Sequence, residues 1–146
     1  RGMATFAEVG CNACHSGPAF AGPTPMGVPF LQKFPTFEAS PYVARYGFLD
    51  DDGKRESTGK ASDSHLYQVP SLRNVAHTAP YMHNGAVETL DEAVRVMGST
   101  QLNRELDEAQ VADLVAFLEA LTGEYPAVTM PRLPETPRGT VIAELH

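Results

Sequence analysis

Cys11-Asn12-Ala13-Cys14-His15 is the stretch on which the reading of this chain turns. Two thiols three residues apart, with a histidine directly after the second, form the pattern of a c-type haem attachment site. On a helical turn such residues share a face, so both thiols can reach the two vinyl groups along one haem edge. His15 then projects beside them and can offer an imidazole nitrogen to the iron as proximal ligand. Two other chemistries use paired cysteines. A structural zinc site needs about four ligands, and the chain has no cysteine beyond this pair. A thioredoxin-like dithiol sits in a βαβ setting, and nothing around the motif reads that way.

The remaining bulk properties narrow the setting. At 146 residues the chain can bury a real core. No apolar run approaches the length of a membrane-spanning helix, so no membrane partner is expected. A net charge of −7 argues against a nucleic-acid partner, which needs a basic face, and suits a partner with a positive docking patch. Arg1-Gly2-Met3 shows neither a basic n-region nor an apolar h-region, so a mature chain or a piece of a longer one is expected. Thiols are joined to haem outside the cytoplasm, which points to the bacterial periplasm or an equivalent space.

Upstream of the motif, Thr5 and Glu8 have the spacing of a capping box, predicting a helix from about Phe6 that runs straight into the motif. From Ser16 to about Pro41, glycines and prolines alternate with apolar residues, giving an irregular loop against the haem or ordinary helices. A short helix is expected over Tyr42 to Leu49. The charged stretch Asp50 to Ser64 reads as a solvated surface excursion, not a site. Pro70 suits the first turn of another short helix, and Asn84-Gly85 marks a turn.

Thr89 and Glu92 form a second capping box, opening a helix with Leu90, Ala93, Val94 and Met97 on one face and Gly98 as its stop. Asp107 and Gln110 open the clearest helix, with Val111, Leu114, Val115, Leu118 and Leu121 inward and Gly123 as its stop. No strand alternation stands out. The expectation is an all-α, cytochrome c-like haem domain over residues 1–123 with long irregular loops, followed by an extended proline-rich tail over residues 124–146.

For the sixth iron ligand the residues alone leave several candidates. A methionine opposite the histidine raises the potential of an electron-transfer haem. Met3 and Met130 are poorly placed in the sequence; Met26, Met82 and Met97 compete, and His65, His77 or His83 could take the position instead. Each is also an ordinary core or loop residue if it binds nothing.

The later motifs carry a resemblance. Val69-Pro70-Ser71-Leu72-Arg73-Asn74-Val75, Thr78-Ala79-Pro80-Tyr81-Met82-His83-Asn84-Gly85, Thr89-Leu90 with Ala93-Val94, Gln101-Leu102-Asn103-Arg104, and the Leu114 to Gly123 run are similar to the C-terminal haem domain of bacterial dihaem cytochrome c peroxidases. It covers CNACH and nearly everything from Tyr67 to the tail. The resemblance implies one covalent haem c, held by Cys11 and Cys14 with His15 and Met97 on the iron. It also implies a calcium ion held partly by the backbone carbonyls of Thr78 and Pro80, with the other protein ligand from an N-terminal peroxidatic haem domain. A small cytochrome c or cupredoxin would donate electrons for reduction of hydrogen peroxide to water, and a homodimer is one option for the full-length protein.

Two departures qualify the match. Met82 stands where relatives often have an aromatic residue. There is a single CxxCH and no tryptophan, so the peroxidatic domain is not within these residues. A stand-alone monohaem electron carrier is therefore the alternative. Relatives that oxidise protein or organic substrates, with tyrosine at the distal position, are disfavoured by Met97.

Overall fold

Five helices order the chain, and the packing of the first against the last sets the rest. In the computed structural model, which describes residues 1–25, 28–124 and 127–131, these are α1 (Gly2–Val9), α2 (Pro41–Tyr46), α3 (Arg55–Thr58), α4 (Leu90–Leu102) and α5 (Glu108–Glu119). Helix α1 lies on α5, with Phe6 buried alongside Val111, Leu114 and Leu118. Gly2 makes the close approach possible. A Cβ there would collide with the main-chain carbonyl of Asp113 and come within 2.7 Å of the Phe117 Cβ.

That packing explains one difference from the sequence reading. Helix α1 starts at Gly2, so Thr5 is an interior residue whose hydroxyl donates to the Arg1 carbonyl at 3.3 Å, not an N-cap. The helix also stops short of the motif. Gly10, at φ 107°, closes it in the left-handed conformation, and the chain re-enters a tight 3₁₀ turn at Cys11–Ala13.

Helix α4 begins where expected, at N-cap Thr89, but no side-chain cap bond forms. Glu92 is engaged elsewhere: it accepts from the Tyr46 hydroxyl at 2.7 Å and pairs with Arg45 at 3.4 Å. Nor does Gly98 end the helix. It is buried inside α4, where a Cβ would meet Leu106 at 3.0 Å and the Arg104 carbonyl at 3.1 Å. The stop is Asn103, at φ 50°, with the Arg104 N–H donating back to the Gly98 carbonyl at 2.9 Å. Gly98 is thus a packing residue.

Helix α5 has the full capping box read from Asp107 and Gln110. It ends at Ala120, ahead of the expected stop; the Gly123 N–H donates instead to Asn74 Oδ1 at 2.8 Å. Pro70 opens no helix, and the turn nearby is a 3₁₀ segment at Val75–His77. The chain also contains an unexpected antiparallel pair, β1 (Leu31–Lys33) with β2 (Leu66–Gln68), in register Leu31 to Gln68. Three-residue strands separated by a long loop leave no alternation to detect. Of the tail, 124 and 127–131 are described, exposed and without regular structure; the rest of the expected extension lies outside the described residues.

Two buried clusters result. The first joins Phe6, Leu72, Val94, Val111, Leu114, Leu118 and Leu121, with Cys11 and Phe20 packed on its edge. The second joins Phe34, Val43, Phe48, Val87, Ala93 and Val96, with Met82 and Met97 on its edge. Among the described residues no helix is long and apolar enough to cross a membrane.

Candidate haem site

The CNACH turn is built by hydrogen bonds to Cys11. Its carbonyl accepts from the Cys14 N–H at 3.3 Å and the His15 N–H at 2.9 Å. In a 3₁₀ turn residues at i and i+3 eclipse, so Cys11 and Cys14 project on one side. Both thiols are free. Burial pushes the Cys11 thiol up to about 11, against a main-chain hydrogen bond acting the other way. It likewise raises Cys14. Both are neutral thiols at physiological pH.

His15 faces inward. Burial depresses its pKa, offset by the carbonyls of Phe20 and Pro70, so the neutral ring is favoured. Nδ1 lies 3.0 Å from the Phe20 carbonyl oxygen. A carbonyl only accepts, so Nδ1 carries the proton and Nε2 keeps its lone pair. This is the arrangement metal-binding histidines use, the second nitrogen donating to a carbonyl while the first ligates.

The remaining expected residues are distributed as follows. Met97 is half-buried on α4 and packs on the second cluster, as does Met82. Met82 sits at φ 70° in the turn before His83. Met3 and Met130 are exposed, and Met26 lies outside the described residues. Thr78 and Pro80 are exposed in the loop after the Val75–His77 turn, where the Thr78 hydroxyl donates to the Val75 carbonyl at 3.0 Å. Among the described residues no group of three or more His, Cys, Asp or Glu side chains is arranged to hold a metal ion.

Asp51, in a stretch whose composition predicts a solvated surface, has a different place in the fold. It accepts from the Tyr67 hydroxyl at 2.6 Å and lies 3.0 Å from His83 Nε2. The His83 side chain is only 12% exposed and stacks on Tyr67 at 4.3 Å between ring centroids. Local composition could not reveal this, because Tyr67 comes from β2 and His83 from a later turn, both distant from Asp51 in sequence. His65 keeps Nδ1 buried without a hydrogen-bond partner, its Nε2 3.8 Å from Asp52. His77 is exposed.

No family model matches the chain. It is 39% identical over 141 residues to the cytochrome c551 peroxidase of Nitrosomonas europaea, covering 94% of this chain and 39% of that protein. The cytochrome c551 peroxidase of Pseudomonas aeruginosa is 37% identical over 142 residues, with 96% and 38% covered. These likenesses support a cytochrome c peroxidase-family domain. The chain spans about two fifths of the length of these relatives. A solved MauG-like protein associated with microbial copper homeostasis has the same fold, with a TM-score of 0.62 and 25% identity, over 84% of this chain and 46% of that one.

For a domain of this family the implied group is a c-type haem, and the residues present fit it. Two free thiols precede an imidazole whose Nδ1 is engaged by the Phe20 carbonyl, which leaves Nε2 as the nitrogen for a metal.

Proposed function

We propose that this chain is the electron-transfer haem domain of a periplasmic dihaem cytochrome c peroxidase, which reduces hydrogen peroxide to water with electrons from a small cytochrome c or cupredoxin. The observation that carries the reading is His15, directly after the free Cys11 and Cys14 thiols, with Nδ1 given to the Phe20 carbonyl. Bound there, the haem supplies a one-electron iron couple whose potential its axial ligands and their hydrogen bonds tune.

The chain's own residues have these roles. Cys11 and Cys14 are the thioether anchors, and His15 is the proximal ligand. Met97 is the sixth ligand, presented by α4 from the second cluster. If His15 and Met97 both hold the iron, they would leave it no site for peroxide, and peroxide chemistry would belong to the rest of the full-length protein. Thr78 and Pro80 contribute main-chain oxygens to a calcium ion completed by that other part, since calcium wants about six to eight oxygen ligands.

Two measurements test the reading. Haem should stay with the polypeptide in acid–acetone and on denaturing gels; its release would end the proposal. By stopped flow the 146-residue chain should exchange electrons with small cytochromes while turning over peroxide negligibly. Rapid peroxide turnover by this chain alone, with Met97 still bound, would refute the division of labour.

A further inference from the structure

Four consecutive residues, Pro70 to Arg73, converge on the loop that supports His15. The Pro70 carbonyl acts on His15, raising its pKa against the effect of burial. The Ser71 hydroxyl donates to the Ala19 carbonyl at 2.8 Å and accepts from the Arg73 N–H at 3.1 Å. The Leu72 N–H donates to the same Ala19 carbonyl at 3.3 Å. Arg73 Nε donates to the Pro18 carbonyl at 3.0 Å, and its guanidinium lies over the Phe20 ring at 5.2 Å.

The loop needs such support. Phe20 has φ 53°, a left-handed conformation uncommon for a bulky residue and held only where surroundings over-determine it. Its ring is gripped by Phe6 and Phe117, at 6.1 and 5.9 Å. Those rings fix the side chain. The carbonyl is aimed by the backbone dihedrals of Phe20, and the peptides that lead into Phe20 are the ones that Ser71, Leu72 and Arg73 hold.

We propose that Ser71 and Arg73 are positioning residues: by holding the carbonyls of Ala19 and Pro18 they aim the Phe20 carbonyl at His15 Nδ1 and so set the donor strength of the imidazole toward the haem iron. The inference rests on His15 being the proximal ligand. A firm Nδ1–H···O bond gives the ring more anionic character, makes it a better donor and favours the ferric state. Slackening the clamp weakens that bond and raises the midpoint potential.

Ser71→Ala is the deciding variant because it changes no charge. It should raise the midpoint potential, measured by spectroelectrochemistry on the haem-loaded protein, by at least about threefold in the ferrous-to-ferric ratio, roughly 30 mV at 59 mV per decade. Ser71→Thr, which keeps the hydroxyl, should restore the parent value. Arg73→Met also removes a positive charge, which by itself favours the ferric state and opposes the expected shift. Its readout is instead the solvent exchange of the His15 Nδ1 proton by NMR of the ferrous protein, expected to be at least tenfold faster. A folded Ser71→Ala protein with lower thermal stability but an unmoved potential would show a merely structural role and overturn the proposal. Should Ser71→Ala fail to assemble, unchanged proton exchange in Arg73→Met overturns it equally. Parent protein without covalent haem would sink the functional reading itself, and the clamp with it.

Discussion

Phe48→Ala is a severe test of how the second cluster is built. The side chain is fully buried and meets three rings: Phe34 at 5.1 Å, Tyr46 at 5.6 Å and His83 at 5.8 Å between centroids. A phenylalanine buries about 150–250 Å², which at about 25 cal/mol per Å² is roughly 4–6 kcal/mol. That is an upper bound, since the unfolded chain already hides part of this area. Truncations of this kind cost about 3–5 kcal/mol once the cavity is included. We therefore expect a loss of about 4 kcal/mol, a large share of the roughly 5–15 kcal/mol that holds a domain together. In the haem-loaded protein this appears as a lower urea midpoint at unchanged slope, and as a fall in Tm of about 12 °C for a chain of this size. Phe37→Ala, at a residue 37% exposed, should cost under about 1 kcal/mol and serves as the control. A loss under about 1.5 kcal/mol for Phe48→Ala, with the slope intact, would mean that this ring is not where the structure puts it.

Three further outcomes follow from single residues. Met97→Ala should abolish the near-infrared charge-transfer band of a methionine–haem complex and lower the potential, whereas Met82→Leu should leave the band; the reverse result would transfer the ligand role to Met82. Gly2→Ala should destabilise by about 1–3 kcal/mol in thermal or urea unfolding, because the clash is with the Asp113 backbone and only a shift of α1 relieves it; a neutral effect would refute the close approach. Acid should weaken the fold in two stages: burial depresses His83 from its ordinary value near 6.5, with Asp51 partly compensating, so its contribution falls as pH drops from about 6.5 toward the lower folded value. Asp51, held low by Tyr67, Gly53 and His83 against the upward pull of burial, loses its share at lower pH still; His83→Phe should flatten the first stage in Tm measured from pH 7.5 to 5, and an unaltered slope would exclude His83 as its source.

The features legible in the sequence are those whose physics is local. CNACH declares its chemistry within five residues, and Asp107 with Gln110 makes the reciprocal cap that the spacing demands, at 2.8 and 3.1 Å. Where the reading failed, a distant partner had changed a residue's use. Glu92 has capping-box spacing, yet a tyrosine and an arginine from α2 take its carboxylate. Gly98 looks like a stop because glycine usually is one, but Leu106 folding back over the helix is what requires the missing side chain. Asp51 reads as solvated until Tyr67 and His83 are brought to it. The β1–β2 pair depends on a register between segments more than thirty residues apart, which nothing in either three-residue strand specifies.

Helix α4 is the element through which the two halves of the site communicate. Val94 belongs to the cluster against which Cys11 and Phe20 pack, while Ala93 and Val96 belong to the cluster that carries Met82 and Met97. Successive residues of one helix point in different directions, so a single rigid rod can serve both cores. Its position is fixed at each end by something other than its own propensity. Glu92 ties the first turn to α2, and the Thr100 carbonyl accepts from the Thr36 and Phe37 N–H groups at 3.1 and 2.9 Å near the last. Thr100 itself is fully buried, its hydroxyl returned to the Val96 carbonyl at 2.7 Å. A methionine on such a helix is held by the helix more than by its own side chain. Such a seat would suit the iron ligand that Met97 is proposed to be. Met82 packs on the edge of the same cluster from a left-handed turn outside any helix. The helical seat of Met97 is what supports proposing it, and not Met82, as the iron ligand.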